Sequence, residues 1–197
     1  MYKNISGVIL AGGKNNRFGG HPKAKTVIGG KTIISRITET IENLFDEVII
    51  VTNDPEEFRE FGHLRIITDI FRNAGPIGGL HAALKTTSKD AVFVFAGDMP
   101  FLEKQLILNQ IKMFAEGKCY ALVPQVNEYT EPLHSIYSIS ILNNLEKYLN
   151  ESGNYAVGEF LKRIDVKYMI LTDSDIKTRA FININYPSDL TASNTNA

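Results

Sequence analysis

The chain is short of cysteine, of long apolar runs and, through its first 38 residues, of negative charge. Cys119 is the single cysteine among 197 residues, so no intramolecular disulfide can form. No apolar run approaches the length of a membrane span, and no repeat or low-complexity block interrupts the chain. The amino terminus, MYKNISGVIL, lacks the long apolar core and cleavage site of a secretory signal, which makes the cytoplasm the expected compartment. The first acid is Glu39, and residues 1–38 hold seven of the 21 Lys and Arg. The remaining residues carry 14 cations against 22 acids, so a net charge of −1 conceals a basic amino-terminal segment. A duplex-binding protein is more often basic throughout, so no nucleic acid is expected as a partner; the polarised charge suits a small anionic ligand. His21, His63 and His81 show no HExxH or similar spacing, and Cys119 reads as a strand residue rather than a nucleophile at a turn. Zinc and covalent catalysis are therefore not expected.

What is present is enough for one globular domain, expected over residues 1–192, with a frayed polar tail at 193–197. A chain of this length, 44% hydrophobic, buries roughly 70% of the surface that its unfolded form exposes. Apolar runs at 5–10, 48–51 and 91–96 read as buried strands without polar alternation. Further strands are expected at 64–67, 120–124, 166–171 and 180–184. Helical spacing connects Ile33, Ile37, Ile41 and Leu44, then Leu102, Leu106, Ile107, Ile111 and Phe114, and segments 78–85 and 139–149 also read as helices. The economical result is an α/β fold, a parallel sheet covered by helices. Ligands of such sheets bind outside the carboxyl ends of the strands. The loop at 11–22, Asn53 and Asp54, Asp69, and Asp98 each follow one of the first four strands.

The most informative stretch is LAGGKNNRFGGHPKAK at 10–25. It places a glycine-rich turn and several cations directly after a strand. Gly12 and Gly13 let main-chain amides approach a ligand, while Arg17, Lys23 and Lys25 supply charge for a polyphosphate. Two common phosphate motifs are excluded. Gly30, Lys31 and Thr32 imitate the end of a P-loop, but Lys25 stands where that motif needs its first glycine. Lys14 likewise replaces the second glycine of GxGxxG, which disfavours a nicotinamide dehydrogenase.

Taken in order, LAGGKNNRFGG, Lys23, Asp69, GPIGGL at 75–80, GDMPFL at 97–102 and FININYPSDL at 181–190 resemble the molybdenum cofactor guanylyltransferases, a branch of the nucleotidyltransferase superfamily. The resemblance implies a three-layer, Rossmann-like nucleotidyltransferase fold with a mostly parallel central sheet. It implies transfer of GMP from GTP to the terminal phosphate of molybdopterin or the molybdenum cofactor, with Mg2+ required. It further implies contact with cofactor-insertion or molybdenum-handling proteins, and no membrane.

Matched residue by residue, the resemblance makes Leu10, Ala11, Gly12 and Gly13 the start of the nucleotide site, with Pro76, Gly78 and Gly79 helping to enclose the base. Arg17 and Lys23 meet the phosphates, Asp69 meets nucleotide or metal-bound water, and Asp98 is both a catalytic residue and the magnesium ligand. Pro132, Leu133 and His134 resemble an acceptor-side segment, His134 as a hydrogen-bonding residue rather than a general base. Asn183 and Asn185 alternate along an expected strand, facing the acceptor or metal together. Two departures stand out: Pro22 where the family usually carries aspartate, and Val51 where an asparagine can serve nucleotide binding, with Asn53 as a replacement. Bland alternatives are caps for Asp69, Asn183 and Asn185, close helix packing for Gly78 and Gly79, and solvation for the cations. Cytidylyl transfer to the same pterin, transfer to another phosphorylated acceptor such as a sugar phosphate, and a noncatalytic delivery role also remain open. The paired glycines favour guanylyl transfer, because related cytidylyltransferases usually read LAAG at the first motif.

Overall fold

Apolar runs without polar alternation must be covered on both faces, and the computed structural model, which describes residues 4–12, 22–172 and 179–184, arranges them so. Strands β1 (Ile5–Leu10), β4 (Val48–Val51) and β6 (Ala91–Ala96) lie side by side, buried along their whole lengths. Between the first two come a short hairpin, β2 (Val27–Ile28) and β3 (Lys31–Thr32), and helix α1 (Ile33–Ile41). Gly29 and Gly30, with φ of 55° and 82°, form the hairpin's turn, so the P-loop look-alike is a turn followed by a helix start. Thr32 caps α1 by accepting the N–H of Ser35 at 3.2 Å.

The rest of the chain adds β5 (Arg65–Ile67), α2 (Pro76–Thr86), α3 (Lys104–Glu116), β7 (Ala121–Val126), β8 (Tyr129–Thr130), β9 (His134–Ser138), α4 (Leu142–Glu151), α5 (Val157–Leu161) and β10 (Val166–Leu171). The main sheet runs β10-β7-β9-β6-β1-β4-β5, with β8 paired to β7. All pairs are parallel except those made by β9 and β8.

Alternation along the strands divides the core into two layers. Ile5, Ile9, Ile50, Phe93, Phe95 and Ile136 pack against α1 and α3. Val8, Leu10, Val51, Val92, Val94 and Tyr137 face α2, α4 and α5. The outcome is a helix–sheet–helix sandwich with a mostly parallel centre.

Three expectations are corrected. The strand expected at 180–184 is absent: Arg179–Phe181 forms a 3-10 turn, after which Ile184 is buried and its N–H bonds the carbonyl of Asp98 at 2.9 Å. Its backbone is committed to the turn after β6 rather than to a ladder. Cys119 lies in the connection before β7 rather than within a strand. The sheet is not wholly parallel, because β9 enters antiparallel between β6 and β7.

Candidate active site

Because β1, β4, β5 and β6 are mutually parallel, their carboxyl ends open on one side of the sheet. A cavity of about 590 Å3 lies there, closed by the amino-terminal end of α2. Leu10, Ala11 and Gly12 line it from β1, Val51 and Asn53 from β4, Asp69 from β5, and Ala96, Gly97 and Asp98 from β6.

Gly97 draws two of these strand ends together. Its N–H donates to the carbonyl of Leu10 at 2.9 Å. A Cβ there would stand 2.7 Å from that oxygen and 3.0 Å from the Cα of Ala11, too close for any other residue without moving backbone. Beyond it, Asp98 Oδ2 stands 3.5 Å from Lys23 Nζ. Lys23 begins the 3-10 turn Lys23–Lys25, which Ala24 anchors by burying itself in the core. The two side chains remain 27% and 23% exposed, enough for a ligand to reach both. Lys25, on the same turn, points elsewhere: it pairs with Glu60 and lies 5.6 Å from the centre of the Phe58 ring.

On the opposite wall, Asn53 Nδ2 donates to Asp69 Oδ2 at 2.9 Å, and the Asp69 N–H returns a bond to Asn53 Oδ1 at 3.4 Å. This exchange ties the ends of β4 and β5. Burial pushes the Asp69 carboxyl above the usual carboxylate range, and the Asn53 bond offsets part of that rise. Asn73 and Gly75 continue the wall into α2. Gly75 has φ 68° and ψ −151°, backbone that glycine alone adopts readily, and Pro76 then sets the first turn of the helix. Asn73 is a lining residue that no motif had singled out; its φ of 62° is one that asparagine tolerates, but nothing in the sequence distinguishes it from an ordinary turn.

Of the residues expected from sequence, the cavity gathers Leu10, Ala11, Gly12, Lys23, Asn53, Asp69, Pro76, Gly79, Asp98 and Leu133. Gly78 faces away, against the carbonyl of Phe71. Pro132 accepts the Tyr137 hydroxyl through its carbonyl at 2.7 Å, and Asn183 is exposed beside Ile184; neither lines the cavity. His134 is displaced furthest from its expected role. It pairs with Phe95 across β9 and β6, so its ring enters the core between Phe93, Phe95 and Phe181, where neither ring nitrogen has a hydrogen-bond partner among the described residues. Strand alternation explains this: Leu133 meets the cavity, and the next residue turns to the opposite face. Gly13, Arg17 and Asn185 lie outside the described residues.

The chain that builds this cavity matches the model of the MobA-like NTP transferase domain over residues 7–165. The chain belongs to that family. It is 33% identical to a molybdenum cofactor guanylyltransferase of Desulfosudis oleivorans, covering 94% of this chain and 92% of the relative. It is 36% identical to a probable molybdenum cofactor guanylyltransferase of Thermococcus kodakarensis, covering 93% and 91%. Among solved structures, molybdopterin-guanine dinucleotide biosynthesis protein A from Archaeoglobus fulgidus superposes with a TM-score of 0.81 at 28% identity, over 95% of this chain and 96% of that one. The MobA-like fold thus accounts for the strand-end cavity, and membership makes the protein a nucleotidyltransferase.

The family's divalent metal can be tested against the donors present. No group of three or more His, Cys, Asp or Glu stands together among the described residues, so they form no all-protein cage. Magnesium is commonly held by one or two carboxylates with substrate phosphates and water. Asp98 and Asp69, hard oxygen donors on one cavity, fit that requirement.

Proposed function

We propose that the protein transfers GMP from GTP to the terminal phosphate of molybdopterin or its molybdenum-loaded form, yielding the guanine dinucleotide cofactor and pyrophosphate. The observation that carries this reading is the single cavity in which Lys23 and Asp98 stand opposite the Asn53–Asp69 pair, at strand ends drawn together by Gly97. In the reaction an acceptor phosphate oxygen attacks the α-phosphorus of GTP. The bond from that phosphorus to the α–β bridging oxygen breaks, and pyrophosphate leaves. The nucleophile is already anionic, so no strong base is needed. The difficulty is bringing two anions together in line.

The residues divide that task. Lys23 neutralises phosphate charge, and its pairing with Asp98 places the cation at the cavity before the nucleotide arrives. Arg17 adds a second cation for the β- and γ-phosphates. The backbone at Gly12 and Gly13 admits the phosphates closely, while Pro76 and Gly79 shape the base wall with Asn53 and Asp69, and Gly78 acts behind it by letting α2 pack against the Phe71 carbonyl. Asp98, with Asp69 nearby on the same cavity, would hold Mg2+, which supplies charge neutralisation for the phosphates. Leu133 borders the acceptor, Pro132 and His134 act behind it by fixing its strand through the Tyr137 hydroxyl and core packing rather than by contact, and Asn185 is assigned to the acceptor. Residues 1–192 act as one unit in the cytoplasm, receiving and passing on cofactor through molybdenum-handling or insertion proteins.

The test is incubation of purified protein with Mg2+, molybdopterin or its molybdenum form, and each of the four nucleoside triphosphates separately. Pyrophosphate release with GTP and a product heavier by GMP is the expected result. Activity confined to CTP would move the chain to cytidylyl transfer, and no release with any donor would overturn the reading.

A further inference from the structure

Helix α2 carries a buried polar group that the proposed reaction leaves unused. His81 is completely buried. Its Nε2 lies 3.2 Å from Glu146 Oε1 on α4, and a carboxylate only accepts, so Nε2 carries the proton and donates. Lys85, one turn further along α2, bonds the same oxygen at 2.5 Å, and its ammonium beside Glu146 holds that carboxyl below the usual range. The other ring nitrogen, Nδ1, has no hydrogen-bond partner among the described residues. Leaving it so carries a desolvation cost that an apolar filler of the same space would avoid.

The ring has a second neighbour. Phe71 meets it edge-on, with centroids 4.9 Å apart and planes at 87°. Phe71 belongs to the connection between β5 and α2, two residues after Asp69 and two before Asn73. Its carbonyl oxygen abuts Gly78, where a Cβ would stand only 2.8 Å away. Phe71 is thus gripped twice by α2, at its ring by His81 and at its backbone by Gly78. The same connection supplies Asp69, Asn73 and Gly75 to the cavity wall.

We propose that His81 is a positioning residue for the nucleotide site: Glu146 orients the imidazole, the imidazole holds Phe71, and Phe71 sets where Asp69, Asn73 and Gly75 stand on the cavity. The assignment rests on the reading of this cavity as the nucleotide site. His81 touches no substrate and acts only through Phe71, which separates its effect from that of Lys23 or Asp98.

The test compares wild type with His81→Leu, Glu146→Ala, their double variant and Phe71→Leu, first by hydrogen exchange on ligand-free protein, then by kinetics. Amide exchange across residues 69–75 should accelerate about tenfold in each variant, by loss of local protection. KM for GTP should rise about fivefold to tenfold while kcat stays within about twofold and KM for the acceptor is unchanged, since uniform binding is what is lost. The double variant should be no worse than the more affected single, because both residues act on one contact. Phe160→Leu, which removes buried packing beside Tyr148 on the same layer, controls for general destabilisation and should leave both readouts unchanged. Unchanged exchange across 69–75, a fall in kcat at constant KM, or the same pattern in Phe160→Leu would each overturn the proposal. Should wild type bind no GTP at all, the nucleotide reading fails, and the exchange comparison still decides whether His81 holds the wall.

Discussion

Mild acid should destabilise this protein through one imidazole. Complete burial among Phe93, Phe95 and Phe181 lowers the pKa of His134 from its ordinary 6.5 to about 4, because the charged form would lose its water, a cost that the nearby backbone offsets only in part. The unfolded chain binds the proton more readily, so the stabilisation is fully present above pH 6.5 and is lost as pH falls toward 4. At pH 5.0 the unfolded histidine is almost wholly protonated and the folded one about one-tenth so, a difference worth about 2 kcal/mol, rising to about 3 kcal/mol below pH 4. Urea unfolding of wild type and His134→Leu at pH 7.5 and 5.0 measures it. The variant's altered packing contributes at both pH values and drops out of the difference, as do the carboxylates that both proteins share. Wild type should therefore lose about 2 kcal/mol more than the variant between the two pH values. An equal loss in both would refute the placement of an uncharged, unpartnered imidazole in the core.

Lys23→Ala and Asp98→Asn should each lower turnover about a hundredfold, with circular dichroism unchanged, since each removes an electrostatic contact rather than a core group. Lys25→Ala should leave turnover within about twofold and cost less than about 1 kcal/mol in urea unfolding, because its partners are the exposed Glu60 and the Phe58 face. Gly97→Ala should destabilise by about 1–3 kcal/mol and weaken GTP binding, because the new methyl must displace the backbone of Leu10 and Ala11. Asp69→Asn should raise the melting temperature at neutral pH while weakening GTP binding. It removes the burial of a charge, so the gain should shrink as acid protonates Asp69 in the wild type.

The central strands were legible because β4 and β6 are apolar at every position and β1 at every position but Ser6, which only a sheet covered on both faces permits. The strand at His134–Ser138 went unread: it mixes His, Ser and Tyr with one Ile, a composition that becomes core-compatible only once Tyr137 finds the Pro132 carbonyl and Ser135 that of Glu131. The segment Phe181 to Ile184 alternates like a strand, yet the hydrogen bond from Ile184 to Asp98 commits it to the turn after β6. The motif at 97–102 put Asp98 at a strand end, but did not show the close approach of Gly97 and Leu10, which depends on where β1 lies.

By itself, the sequence determined the α/β class, the order of the apolar strands and the clustering of motif residues at strand ends, because hydrophobic periodicity and glycine chemistry are local properties. It did not determine charge pairing. No acid precedes Glu39 to pair with the early cations locally, and folding brings Asp98 to Lys23, Glu60 to Lys25 and Glu39 to Lys31. Only the tertiary structure separated the lysine on the cavity from the one spent on a surface pair, and only it sent His134 into the core while leaving Leu133 on the cavity. Electrostatic and packing partners are chosen by proximity in space, and that proximity is created when distant strand ends and helices come together.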